Sequence, residues 1–110
     1  MNIEKLNKEQ LVPYYLMASY LYYITHKLSP MSDEEFDSLC RRLIDEYDGI
    51  EHPHKSLVSL ESLRAGTGFN LGEKDYPLMV IGGAHDWYDT YHSVEKYSNV
   101  NVKKSSKNRK

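Results

Sequence analysis

A single cysteine, Cys40, among 110 residues excludes an internal disulfide. A chain of that kind fits a reducing, cytoplasmic compartment. No apolar run is long enough to cross a bilayer as a helix, which takes roughly 18 or more consecutive residues. The start, Met1-Asn2-Ile3-Glu4-Lys5, has no apolar stretch of the signal-peptide kind. Internal repeats are absent. Zinc-type spacings are absent too: His52-Pro53-His54 does not suit a helix face, and His85 and His92 lie two helical turns apart, so no metal is expected. Gly66-Thr67-Gly68 lacks the preceding strand and following lysine of a phosphate loop and is a turn by default. No Ser/His/Asp or Cys/His constellation can be drawn, so no catalytic residue and no enzymatic activity is expected.

Tyrosine, in contrast, is abundant. There are ten, against one tryptophan and two phenylalanines. Tyrosine joins an apolar face to a polar tip and serves both half-buried surfaces and binding sites. The net charge of −2 conceals an asymmetry, because residues 103–110 carry five of the 14 basic groups and no acid. Residues 1–102 are left with nine basic against 16 acidic groups. The expected organisation is one small domain over 1–102 and a disordered basic tail over 103–110. The tail reads as a solubilising terminus or as a weak electrostatic contact for nucleic acid.

Residues 1–8 read as a frayed start. A first helix opens near Glu9 to Pro13, with proline in its first turn. Leu11, Tyr14, Tyr15, Ala18, Leu21 and Tyr22 then follow helical spacing, while Tyr20, Tyr23 and Ile24 widen the apolar surface. A helix apolar over so much of its circumference is central, or has a ligand or partner on its second face. It stops before Pro30. Ser32, with Glu35 three residues on, forms a capping box for a second helix whose stripe is Phe36, Leu39, Cys40, Leu43 and Tyr47, with Gly49 as its stop. Lys55 to Leu60 is a short extended segment or a turn of helix. Leu78 to Ile81, between Pro77 and Gly82-Gly83, reads as a short buried strand, and Asp86 as the cap of a third helix carrying Trp87, Tyr91 and Val94. The fold class is therefore mainly α: an antiparallel helical hairpin plus a C-terminal helix and a short strand or extended segment. Core candidates are Leu11, Tyr15, Ala18, Leu21, Phe36, Leu39, Cys40, Leu43 and Val94.

Chemistry concentrates at the turn between the first two helices. Asp33 and Asp37, four apart, project from one face of the second helix. They repel by a few tenths of a kcal/mol. The helix N-terminus returns roughly 0.3–1 kcal/mol for each nearby carboxylate. On chemistry alone, an acidic first turn is an ordinary helix start.

The residues around that turn carry a resemblance. Tyr22-Tyr23, then the Pro30 turn, then Ser32-Asp33-Glu34-Glu35-Phe36-Asp37, then Leu39, Leu43 and Ile44, and finally Glu51-His52-Pro53 resemble the small N-terminal domain Ia of bacterial NAD-dependent DNA ligases. The likeness covers residues 9–53, with a weaker echo in His54 to Leu60, and fades beyond. It implies that Tyr22, Tyr23, Asp33, Phe36 and Asp37 bind the nicotinamide mononucleotide half of NAD. Tyr22 would stack on or hydrogen-bond the nucleotide, Tyr23 fills a position where the family often has histidine or tyrosine, and the aspartates would accept hydrogen bonds from ribose hydroxyls or carboxamide. Phe36 stands where the family has tyrosine, and one lost polar contact costs about 0.5–1.5 kcal/mol. A cationic pyridinium also suits an aromatic face, worth about 0.5–2 kcal/mol. The aspartates would repel the phosphate, for which Lys27, Arg41 and Arg42 are candidates. The Lys-x-Asp-Gly nucleotidyltransferase motif is absent, so this chain alone is not expected to ligate DNA.

The resemblance thus implies a non-catalytic NAD- or nicotinamide mononucleotide-binding module, accessory to a ligase-like partner or acting as a nucleotide sensor. The competing expectation is a small interaction or inhibitor module of the phage accessory type. It would bind a host protein through an acidic, tyrosine-rich surface that includes Trp87, Tyr88 and Tyr91.

Overall fold

The computed structural model describes residues 2–66 and 71–103, with side chains as far as residue 92. Among these residues the chain is mainly helical, with no strand. Four α-helices follow in order: α1 (Lys8–Ser19), α2 (Asp33–Glu46), α3 (Leu60–Ala65) and α4 (Leu78–Lys103). The first two form the expected hairpin. Helix α1 lies centrally, against α2 on one side and α4 on another, and α3 packs on α2.

Helix α1 begins earlier than its proline suggests. The Gln10 side chain accepts the Asn7 N–H at 2.8 Å, fixing the start at Lys8 and leaving Pro13 in the second turn. The helix then widens into a π-helical segment, Tyr20–Ile24. That segment ends in a tight reversal: Thr25 N–H donates to Tyr20 O, Lys27 N–H donates to Leu21 O at 2.8 Å, and His26 between them takes φ 59°. Such widened turns are rare and tend to sit at functional sites.

The start of α2 is as the sequence dictates. Ser32 Oγ accepts the Glu35 N–H at 3.1 Å, and Glu35 Oε1 accepts the Ser32 N–H at 2.8 Å. Leu39, Cys40 and Leu43 are buried, and the helix gives way to a 3-10 turn at Tyr47–Gly49. Tyr47 OH donates to Val58 O at 2.9 Å and ties the following segment to the helix. That segment contains a 3-10 turn, Lys55–Leu57, rather than extended chain.

Three expectations are corrected. Residues 2–7 are held, not frayed: Ile3 is buried in a 3-10 turn, and Arg42 Nη1 donates to Ile3 O at 2.9 Å and Leu6 O at 2.8 Å. Leu78 to Ile81 is the first turn of α4 and not a strand. Val80 is buried there, while Leu78 and Met79 are exposed, an arrangement of helix rather than alternation. Asp86 accordingly lies inside α4 and caps nothing. Lys103 closes α4, and the remainder of the expected disordered tail lies outside the described residues, as do Thr67 and Gly68. The Val94 side chain is likewise outside them.

The core runs from Ile3 through Leu11, Tyr15, Leu16 and Leu21 to Leu39, Cys40, Leu43, Val58, Leu63, Tyr76, Val80 and Ala84. Glycines 82 and 83, which suggested the end of an element, lie within α4 for different reasons. A Cβ on Gly83 would come within 3.1 Å of Met17 Sδ, so glycine there lets α1 and α4 approach closely. A Cβ on Gly82 would meet nothing within 4 Å. Gly82→Ala is therefore expected to stabilise the protein by about 0.5–1 kcal/mol, the cost of glycine in a helix interior. Urea unfolding measures it, and a destabilised variant would contradict a continuous α4.

Candidate functional site

The π-helical end of α1, the linker and the first turn of α2 meet around a pocket of about 210 Å³. Tyr22, Tyr23, Asp33, Phe36 and Asp37, the five residues singled out in the sequence, all line it. They come from two helices joined by a linker that reverses the chain. Tyr22 lies in the π-helical segment and is 55% exposed. Tyr22 and Tyr23 meet edge to face, with centroids 4.8 Å apart. Phe36 is half-buried and stacks on Tyr15 at 5.7 Å and 17°, so its ring forms part of the wall.

The linker supplies the third side. Ser29 Oγ accepts the Met31 N–H at 3.2 Å and sets the bend that buries Met31. Leu28, 77% exposed, stands at the rim. Gly66, capping α3 with φ 68°, closes the far edge, and a Cβ there would lie 3.5 Å from Asp37 Oδ1. The left-handed conformation costs a side-chain-bearing residue roughly 1–2 kcal/mol, which explains glycine at this point.

Electrostatically the pocket is one-sided. Two carboxylates lie at its edge, and among the described residues no basic side chain lines it. The adjoining groove shares Tyr22, Tyr23 and Leu28 and adds His26 and Lys27. Lys27 Nζ sits 4.8 Å from the centroid of the Tyr88 ring. Of the three phosphate candidates, only Lys27 borders the pocket. Arg42 is committed to the N-terminal carbonyls and to Glu46 at 2.7 Å, and Arg41 reaches Ser38 on the exposed side of α2.

Of the other residues that line the pocket, Gly66 and Ser19 were not picked out from the sequence as site residues. Gly66 gave no signal beyond its turn propensity. Ser19 was detectable, because it precedes Tyr22 and Tyr23 by three and four positions and so shares their helix face. It lines the pocket and is 1% exposed.

The aromatic residues of α4 whose side chains are described differ in exposure, and Tyr88 and Tyr91 both meet the ring of His92, at 4.2 and 5.4 Å. Trp87 is half-buried with its ring edge-on to Tyr14 at 5.2 Å, Tyr88 packs under Lys27, and Tyr91 is 45% exposed. Among the described residues, no three His, Cys, Asp or Glu side chains converge as metal ligands would, and no helix is long and apolar enough to cross a membrane. His52 Nδ1 accepts the His54 N–H at 3.1 Å, a local turn contact, and burial followed by the neighbouring His54 lowers the His52 pKa.

No protein-family model matches the chain, and no curated protein or solved structure matches it.

Proposed function

We propose that the chain is a non-catalytic nucleotide-binding module, similar to the ligase Ia domain, that takes the nicotinamide mononucleotide half of NAD or the free mononucleotide. One observation carries this reading: Tyr22, Tyr23, Asp33, Phe36 and Asp37 line a single pocket. A cationic pyridinium between aromatic faces and two carboxylates is electrostatically matched to it. Size supports the same choice. Pockets that enclose a whole drug-sized ligand hold about 300–1,000 Å³. At about 210 Å³ this one suits the ring and part of its ribose, with the phosphate outside near Lys27. In this reading the module serves a ligase-like partner that supplies the missing adenylation lysine.

Calorimetric titration with NAD and with nicotinamide mononucleotide tests it. The expected result is micromolar binding that Asp37→Ala weakens by roughly 10- to 100-fold, the size of a lost hydrogen bond to a charged group. Absence of heat at millimolar ligand overturns it. The interaction-module reading would then lead, supported by the exposed Leu78, Met79 and Tyr91 side chains of α4.

A further inference from the structure

A buried hydroxyl without a partner is costly, because it has left water and gained nothing in return. Among the described residues two such atoms occur, Ser19 Oγ and Tyr76 OH. Both residues are almost fully buried, at 1% and 4% exposure. They lie together: the Ser19 hydroxyl is close enough to Tyr15 and Tyr76 to lower the pKa of each phenol somewhat against burial, yet neither orphaned atom has a partner in hydrogen-bonding geometry.

The position of Ser19 in the chain makes this more telling. A serine inside a helix has an easy refuge in the carbonyl one turn back. Thr25, six residues on, takes it and donates to Leu21 O at 2.7 Å. Ser19 does not. Instead it lines the pocket, at the end of α1. Tyr76 comes from outside the stretch that resembles ligase domain Ia and packs edge-on to Tyr20 at 5.3 Å.

We propose that Ser19, backed by Tyr76, is the specificity-determining floor of the pocket and reads an uncharged polar substituent, a carboxamide, on the bound pyridinium ring. A primary amide offers a carbonyl acceptor and two N–H donors, and a hydroxyl can donate to the first or accept from the second. The amide would thereby satisfy an atom that the free protein leaves without a partner. A carboxylate on the same ring is disfavoured by Asp33 and Asp37 at the rim. A site built to hydrogen-bond a polar group discriminates strongly against the analogue that lacks it, because its own polar atoms stay unpaired. This inference rests on the nicotinamide reading for its ring, but it is tested without ribose or phosphate.

The probes are N1-methylnicotinamide and N-methylpyridinium, two cations that differ by the carboxamide, together with nicotinamide mononucleotide. Binding is followed by ligand-observed NMR on wild type, Ser19→Ala and Tyr76→Phe. The wild type is expected to prefer N1-methylnicotinamide by at least tenfold. Ser19→Ala should lower that affinity roughly tenfold, the size of one hydrogen bond, and leave N-methylpyridinium unchanged. Tyr76→Phe should act in the same direction. A role in the fold alone would make Ser19→Ala less stable, whereas removal of an orphaned hydroxyl should leave the melting temperature equal or higher.

If Ser19→Ala and Tyr76→Phe both bind nicotinamide mononucleotide as wild type does, the floor proposal falls and the nucleotide reading stands. If N1-methylnicotinamide binds in a Ser19-dependent way and the mononucleotide does not bind, the floor stands and the nucleotide reading falls. If neither binds the wild type, both fall.

Discussion

Tyr15→Ala is expected to be among the most destabilising single substitutions in the protein, costing about 3–5 kcal/mol. Tyr15 is fully buried and among the largest of the fully buried side chains. It faces Phe36 across the hairpin with centroids 5.7 Å apart, so one ring joins α1 to α2 directly behind the pocket. Emptying an aromatic site of this kind costs about 3–5 kcal/mol in lost burial and residual cavity. Small domains have roughly 5–15 kcal/mol in all. The variant should therefore lose a large share of its stability and loosen the wall that Phe36 provides. Tyr15→Phe keeps the ring and should retain the fold, which separates the packing from the hydroxyl. Urea unfolding of the two variants is the measurement, and a cost below about 1.5 kcal/mol for Tyr15→Ala would show that the hairpin does not depend on this contact.

The second large effect comes with alkali. Burial pushes the Cys40 thiol from its ordinary 9.0 up to about 12, with the Asp37 carboxylate adding to the shift. Burial likewise raises Tyr76 from 10.0 to about 12, and raises Tyr15 further, with Cys40 contributing. All three are neutral when protonated, and the folded state holds those protons more tightly than the unfolded chain. Their contribution is fully present below about pH 9, where the unfolded thiol is still protonated, and is lost as pH rises toward the folded values. Each group removes about 1.4 kcal/mol of stability per pH unit once its unfolded form has ionised, so the three together cost roughly 4 kcal/mol per unit above pH 10. The protein should be stable to pH 9 and unfold cooperatively between about pH 11 and 12. Cys40→Ala should move the onset from the thiol range to the phenol range. An unfolding free energy that is flat from pH 8 to pH 11 would contradict the burial of these groups.

How much of this was legible in the sequence depended on how local its cause was. Ser32 and Glu35 cap α2 through contacts three residues apart, and the pattern could be read directly. Leu39, Cys40 and Leu43 follow from the same helix. The four apolar residues 78–81 read as a strand and fold as helix, because so short a run shows no period and the flanking proline and glycines suit either element. What decided them was distant: Gly83 fits under Met17 of α1. Arg42 had been a phosphate candidate because its charge was visible and its partners, the carbonyls of Ile3 and Leu6, were not. At the site, a motif brought out Tyr22, Tyr23, Asp33, Phe36 and Asp37. The exposure of Tyr22 was hidden, since an ideal helical period does not foresee a π-helical segment. Ser19 and Tyr76 required the fold, because nothing about a serine or a tyrosine in a sequence says that its hydroxyl will be buried without a partner.

The lone thiol of Cys40 has a practical consequence. In the folded chain it is 2% exposed, and its raised pKa leaves almost no thiolate at neutral pH, so disulfide reagents will find it inert. It reacts only when the packing around α2 opens, and with no second cysteine in the sequence every labelling event reports on that region. The rate of thiol modification therefore serves as a stopwatch for the hairpin. Because the same hairpin forms the pocket, a ligand seated between Tyr22 and Asp37 would slow that clock in proportion to its occupancy.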